Sequence, residues 1–513
     1  MRPEGLEPPA YWFEASRSIQ LSYGRAWTVS SSVQRRPSQE DGALYRARET
    51  FLRRLSSAVL SCKSDPCKSD PWKSDLKTCK ITISVVPVRA QGGELMYTRR
   101  SWMIGVGSLG VSALLPAAAP ADWPQFRGSD RTNISKETGL LRKWPASGPR
   151  LLWSVPVEQG YAGAAIVAGR VYHHDYDLKK SEWIVNCRSL ADGKPIWQFR
   201  EAREIRPNHA ITRTVPAVDG RFVISLDPKA VLHCLDAKTG KQIWRKSLVT
   251  EYKATIPSWY NGQNPLQEQD RIVVGTGGAA ILVAIDKATG KDIWRTPNPG
   301  NLMMSHASVM PAVIGGVRQY LWGTLAGPLG VAASDGKLLW QFARKFNVAV
   351  APSPIAVNDE LVFMTASYDA GSVMVRVRRS GDAFKVEGVF DMKNNEWNSE
   401  VHTPIVHNGH MFAVGKKKRG LFTCLSFDGK EVWTSDGKAS FGLGSYFLAD
   451  GMFFVMDGDS GKLRLLEASV TGYNELASAQ VLGGEEVWGP MALSDGKLVL
   501  RDLTKMVCLN VRG

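Results

Sequence analysis

A tryptophan returns at the end of nearly the same phrase along most of this chain: LADGKPIW ending at Trp197, LDAKTGKQIW at Trp244, IDKATGKDIW at Trp294, ASDGKLLW at Trp340 and SFDGKEVW at Trp433. Across the first four the spacing is 47, 50 and 46 residues, and Trp153 stands 44 residues before Trp197. A period in the forties holding four short strand-like runs per unit is the mark of a β-propeller. The expected fold is therefore all-β, with function lying in whatever departs from the repeat.

The repeat TVPAVDGRFVISLDPKAVLHCLDAKTGKQIW shows how one unit folds. Pro216-Ala217-Val218 suits a short inner strand, Asp219-Gly220 a tight turn, and Arg221 to Ser225 a second strand. Val231 to Leu235 forms the third strand. Asp236 and Gly240 then supply the side-chain acceptor and the positive φ of a turn before Gln242 to Lys246 returns as the outer strand. That strand aims Trp244 at a neighbouring blade, and Trp153, Trp197, Trp294, Trp340 and Trp433 take the same structural role.

Laid along the chain, the frame places inner-strand prolines at Pro216, Pro265, Pro311, Pro354, Pro404 and Pro490, with Ala165 in the first unit. The fifth unit is worn, carrying Phe390 near the expected tryptophan, and the seventh, from about Phe447 to Leu482, lacks both proline and tryptophan. The eighth stops at Cys508 to Val511 without an outer strand, while residues 151–157 form an outer strand with no blade before them. Pairing the two closes the ring over 151–513 and removes the exposed edges. The count is eight blades; seven is the alternative, should one worn unit be a long loop.

Ahead of the frame, residues 1–95 hold the echo CKSDPCKSDPWKSDL and no sustained apolar period, and are read as a disordered upstream extension foreign to the natural product. Residues 96–121, MYTRRSWMIGVGSLGVSALLPAAAPA, read as an export signal, twin-arginine through Arg99 and Arg100 or plainly secretory. Its apolar run is too short for a permanent transmembrane helix. Cleavage after Ala121 would leave a lead-in segment, 122–150, before the propeller, and an exported protein of the periplasm or cell envelope.

Cys187, Cys234, Cys424 and Cys508 fall at corresponding places in four repeats. Strands ~4.8 Å apart put such places on the order of 10 Å from one another, beyond the ~7 Å reach of a disulfide, so free buried thiols are expected. The net charge is +15, but a good part of it lies in the first 121 residues, and the remainder is too diffuse to argue for nucleic acid. Lys416 to Arg419 suits a solvated hairpin, and Arg376, Arg378 and Arg379 the solvent face of a strand.

The phrase D-A-x-T-G-K-x-x-W at Asp236 to Trp244, nearly repeated at Asp286 to Trp294, resembles the tryptophan-docking repeat of the pyrroloquinoline quinone (PQQ) propellers. These include the quinoprotein alcohol dehydrogenases and non-catalytic outer-membrane assembly propellers such as BamB. ADWPQFRGSDRTNIS is similar to the opening of exported bacterial PQQ-like repeat proteins. Resemblance to the dehydrogenases implies PQQ in the central funnel, Ca²⁺ on carboxylate and amide oxygens, an aspartate base and a disulfide between adjacent cysteines. This chain has no Cys-Cys pair, and no Glu, Asn and Asp set matches the metal pattern.

In a propeller the loops leading into the inner strands converge on the axis. Those loops carry Tyr161, Asn208, His209, Arg213, Trp259, Tyr260, Asn264, Ser305, His306, Glu400, His402, Glu486 and Trp488. Tyr161, Arg213, Trp259, Tyr260, His306, Glu400, His402 and Trp488 are the ligand-binding candidates: rings to stack, a guanidinium for a carboxylate, and imidazoles to hydrogen-bond. Each also has a plain structural reading, as a blade cap or a hydrogen-bonded core group. Glu400 and His402 alternate as a strand face would, but one carboxylate and one imidazole do not make a metal site, and no catalytic residue is assigned.

Three readings follow. The favoured one is an exported, non-catalytic propeller that binds a protein or cell-envelope polymer, with no cofactor. The second is a PQQ- and Ca²⁺-dependent alcohol or sugar dehydrogenase, and the third a saccharide or small-molecule binding propeller.

Overall fold

The structure, a computed structural model, describes residues 122–513 apart from 207–208, 210, 394–395, 416–419 and 485. The expected upstream extension and export signal, Asn208 and the run 416–419 lie outside the described residues. Thirty-two strands among those described form eight four-stranded antiparallel sheets, each a meander of consecutive strands except the last. In the eighth sheet Ala492–Ser494, Lys497–Arg501 and Lys505–Asn510 are completed by Arg150–Pro156, which sets Trp153 opposite Cys508. The protein is an eight-bladed β-propeller; the seven-bladed alternative fails because both worn units build complete sheets.

The register repeats from sheet to sheet. Trp197 pairs with Cys187, Trp244 with Cys234 and Trp433 with Cys424, each beside a β-bulge, while Trp294 and Trp340 stand opposite Ala284 and Gly330. A small residue faces each large ring, and the four cysteines are free and buried. The bulge turns the outer strand so that its tryptophan meets the next sheet. Trp197 lies over Gly240, where φ is +72° and a Cβ would come 2.5 Å from Cε3 of the ring. Its indole N–H donates to the Ala237 carbonyl at 3.2 Å. Trp153 repeats the contact over Gly193 with Leu190 O at 2.9 Å, and Trp244 over Gly290 with Lys287 O at 3.0 Å.

Trp294 keeps the glycine contact, over Gly336, without the carbonyl bond, and two more tryptophans depart further because the turns ahead of them are rebuilt. Trp340 faces the fifth sheet, whose last two strands, Ser372–Ser380 and Ala383–Met392, form a long hairpin, and its indole bonds Gln319 of its own sheet at 2.8 Å. Trp433 meets Tyr473 edge-on at 6.4 Å. In the fifth sheet Phe390 stands opposite Met374 and covers Gly429 of the next turn, so a phenylalanine fills the tryptophan's place.

The lead-in segment closes one end of the axis. Trp123 bridges Ile166 of the first inner strand, Pro124 O accepts from Val218 N of the second at 2.7 Å, and Gln125 Oε1 accepts from Gln267 N of the third at 3.1 Å. Arg131 then donates to Asn264 O at 3.3 Å, Val309 O at 2.8 Å and Pro265 O. Arg127 donates to Thr403 O and, at 3.2 Å, to Pro404 O. Ile134 bridges Leu448, and Leu140 bridges Arg512. Both guanidiniums are almost fully buried, and burial pulls each down to about 9, so both stay charged at neutral pH.

Candidate functional site

In each meander the connection into the inner strand and the hairpin between the second and third strands lie at the same end of the sheet. That end, opposite the plugged one, holds a funnel of about 790 Å³, the solvent at its mouth included. Tyr161, Arg213, Trp259, His306, His402 and Trp488 line it, together with small apolar residues such as Ala349, Ala351 and Val401. Phe126 of the plug reaches its wall from below, and a smaller void beneath shares Phe126, His402 and Pro490 and touches Arg127.

Two stacked aromatic pairs form opposite parts of the wall. A parallel bridge between Gly160 and Thr212, with Tyr161 N donating to Thr212 O at 2.7 Å, ties the loops of the first and second sheets. It sets the Tyr161 ring 5.9 Å from the Arg213 guanidinium. On its other side Tyr161 stacks on Trp488, centroids 4.9 Å apart and planes 20° apart, and its hydroxyl donates to Glu486 at 2.5 Å. The second pair is Trp259 on Tyr368, at 5.4 Å and 15°. Arg213 joins the pairs, since its Nη1 donates to Trp259 O at 2.6 Å and to Ile211 O at 3.1 Å.

The second pair rests on unusual backbone. Trp259, Tyr260, Tyr368 and Asp369 all have positive φ, between 54° and 69°. Such conformations cost of order 1 kcal/mol or more each for non-glycine residues and persist only where surroundings impose them, which they do most often at binding sites. Two successive left-handed residues also turn the Trp259 and Tyr260 rings apart. Tyr260 leaves the funnel and its hydroxyl clasps Arg206, accepting from its N–H at 3.0 Å. Glu400 likewise lies outside the lining: its carboxylate accepts from Tyr368 N at 2.8 Å and so holds the loop that carries the ring.

Burial sets the charge states. His306 is drawn down to about 4, first by burial and then by Arg213, and is neutral at pH 7. Burial raises the Tyr368 hydroxyl well above its ordinary value, and draws Arg213 down to about 10, still charged. Among the described residues no Asp or Glu lines the funnel itself, but Glu486 accepts from the lining Tyr161 and acts electrostatically on Arg213. Around the floor runs a seam of side chains, each bonding the sheet before it. Asn264 Oδ1 accepts from Val215 N at 2.6 Å, Ser308 Oγ from Asn264 N at 3.0 Å, Ser353 Oγ from Ser308 N at 2.9 Å, and Thr403 Oγ1 from Ser353 N at 2.8 Å.

The model of the family described as outer membrane protein assembly factor BamB matches residues 180–341 and 262–425. Among solved structures the chain is similar to the quinohemoprotein alcohol dehydrogenase from Comamonas testosteroni, at 12% identity and a TM-score of 0.54, over 77% of this chain and 81% of that one. It is similar to a europium-containing methanol dehydrogenase at 13% identity and a TM-score of 0.55, over 74% of this chain and 89% of that one. BamB from Moraxella catarrhalis aligns at 14% identity and a TM-score of 0.49, over 70% of this chain and 97% of that one. No curated protein matches the chain. Likeness at these identities speaks for the fold, not for the chemistry done on it.

Proposed function

We propose, from the premise that this chain is a PQQ-like β-propeller repeat protein, that it is an exported, non-catalytic binding propeller of the cell envelope. The observation that carries the reading is the funnel's lining, mostly rings and small apolar residues around Arg213 and His306. A general acid or base works best with a pKa near the operating pH. His306, held near 4, is a weak base at neutral pH, and Tyr368 is held away from ionisation. Arg213 is a fixed cation. These three groups are better suited to recognising a ligand than to exchanging protons with it.

The residues present are a poor match for PQQ with Ca²⁺. PQQ carries three carboxylates, while the lining offers one guanidinium. The lining amide, Asn264, is already engaged through both its oxygen and its nitrogen, with Val215 and Ser308. Among the described residues no group of three or more His, Cys, Asp or Glu side chains is placed to hold a metal ion. A protein or envelope polymer would meet the loop-bearing face around the funnel. Met303 and Val348, on the loops into the fourth and fifth inner strands, are both about half exposed there and offer it apolar contact. Adding PQQ and Ca²⁺ to the purified protein and following absorption and dye-linked oxidation of short alcohols tests the reading. No dye reduction is expected; sustained turnover would overturn it.

A further inference from the structure

We infer that Asp502, on the loop-bearing face but apart from the central funnel, is a socket for an arginine side chain of a protein partner. The inference rests on the binding reading above and names the chemistry of the partner.

Three sheets in a row carry an aspartate at the same place. Tyr172, Ile224 and Val499 pair with Cys187, Cys234 and Cys508 of their own sheets, and three residues beyond them stand Asp175, Asp227 and Asp502, all buried. In two of the three an arginine from the preceding sheet answers the carboxylate. Arg501 Nη1 donates to Asp175 Oδ1 at 2.8 Å. Arg203, just past the outer strand Pro195–Ala202, donates through Nε to Asp227 Oδ2, while Asp227 Oδ1 accepts from Val231 N at 2.8 Å. Asp502 repeats half of this arrangement. Its Oδ1 accepts from Thr504 N and Lys505 N, both at 2.8 Å, and from Thr504 Oγ1 at 2.9 Å. Its Oδ2 is buried and, among the described residues, accepts from nothing.

The register shows why. Arg203 stands six residues past Trp197, which faces Cys187. In the seventh sheet Ala477 takes the tryptophan's place, opposite Leu465, and six residues past it stands Gly483. Where the second sheet receives a guanidinium, the eighth receives a glycine. The next residue, Gly484, lies against the carboxylate, since a Cβ there would come 2.7 Å from Asp502 Oδ2. Gly484 also lines a recess of about 790 Å³, open solvent included, with Val157, Glu158, Gln159, Leu503 and Thr504. That recess shares no lining residue with the funnel.

A buried carboxylate oxygen without a donor has lost its water and regained nothing, so a cation that brings its own N–H groups is its complement. A hard metal ion takes about six to eight oxygen ligands, whereas Asp502 and Glu158 are the acidic side chains described at this recess. A guanidinium brings both charge and directed donors, as Arg203 does on Asp227. Its methylene stem would lie along Val157 and Leu503, with the exposed Glu158 carboxylate at the rim adding attraction. The same rim charge repels the carboxylate of a free amino acid, which favours an arginine within a chain.

Calorimetric titration of the purified protein with N-acetylarginine amide is the direct test, run beside the citrulline and lysine counterparts and free arginine. N-Acetylarginine amide should bind about tenfold or more tightly than any of the three, the worth of one charge-assisted hydrogen bond. Asp502→Asn, which keeps the Oδ1 acceptor, should remove that preference without lowering the thermal midpoint, whereas Asp227→Asn, which strands Arg203, should lower it. Gly483→Arg should abolish binding and raise the midpoint, because the chain then supplies its own guanidinium, and a Cβ at Gly483 meets nothing within 4 Å. Equal affinity for the citrulline or the lysine compound overturns the guanidinium assignment, and equal affinity for free arginine overturns the partner chain as its source. A midpoint lowered as far by Asp502→Asn as by Asp227→Asn overturns the unanswered carboxylate. If N-acetylarginine amide does not bind while the dye-linked assay stays silent, the inference fails and the non-catalytic reading stands. Dye reduction removes that reading, whichever way the titration falls.

Discussion

Gly240 and Gly220 give the sharpest test of what the recurring tryptophan does. Both have positive φ, +72° and +84°, so alanine at either pays the same backbone penalty, about 1 kcal/mol. They differ only in what the new Cβ meets. At Gly220 nothing lies within 4 Å, whereas at Gly240 the Cβ would fall 2.5 Å from Cε3 and 2.7 Å from Cδ2 of Trp197. A ring fixed by its N–H bond to Ala237 O cannot give way cheaply, and overpacking of this kind costs about 1–3 kcal/mol. Gly220→Ala should therefore cost about 1 kcal/mol and Gly240→Ala about 2–4 kcal/mol. Urea unfolding followed by tryptophan fluorescence measures both. The double variant Trp197→Ala/Gly240→Ala isolates the contact, since without the ring the glycine substitution should fall back to about 1 kcal/mol. Equal losses at the two glycines, or a Gly240 penalty unmoved by Trp197→Ala, would refute tryptophan docking as the source of blade-to-blade cohesion.

Two further outcomes follow from buried charge. Arg127→Met should destabilise by several kcal/mol, because it strands the carbonyls of Thr403 and Pro404 in the plug at about 1–3 kcal/mol each, while the exposed Lys136→Met should change little; matching thermal midpoints would sink the plug's role. His306 has a folded pKa of about 4 against an ordinary 6.5, so its contribution is present above pH 6.5 and is lost as pH falls toward 4. It amounts to about 3 kcal/mol at most, and Asp175, raised by burial to about 6, works in the opposite sense between its ordinary 3.8 and 6. The difference in unfolding free energy between wild type and His306→Gln should therefore shrink from pH 7 to pH 4, and a pH-independent difference would show that the imidazole is not held neutral.

What was legible in the sequence was local or periodic. The turn aspartate, the glycine of positive φ and the tryptophan lie within nine residues of one another, so the phrase encodes its own turn and docking surface. The break between Trp153 and the last strands could be read because a meander one strand short needs exactly one strand from elsewhere. The funnel was only partly legible. Alternation placed Glu400 beside His402, but residues 399–402 are irregular loop, so period two does not hold there, and Val401 lines the cavity where Glu400 does not. Tyr368 carries no such signal, because it sits in a hairpin between second and third strands, on the same face as the loops into the inner strands but outside them. Phe126, Arg127 and Arg131 escaped for a different reason. Nothing in RGSDR tells a reader that two arginines will cross the axis to carbonyls more than a hundred residues away.

The propeller is thus held by two rings of different physics. The outer one is apolar and local, tryptophan on glycine between neighbouring sheets, and its area term makes each contact worth a few kcal/mol. The inner one is polar and sequential, running from Val215 through Asn264, Ser308 and Ser353 to Thr403, with Arg127 and Arg131 tying its lower edge. Only the inner ring borders the funnel, so changes in the outer ring should alter stability and leave ligand affinity alone. Ser308 is where the rings' duties meet, because its hydroxyl serves both Asn264 N and Asn264 Nδ2 at 3.0 Å and it also lines the cavity. Ser308→Ala would release the Asn264 amide toward the ligand. It should cost stability as a lost buried hydrogen bond does, about 1–3 kcal/mol. It should also make the floor more polar, favouring ligands that can bond an amide. A loss below about 0.5 kcal/mol in urea unfolding would refute the seam's role in holding the inner ring together.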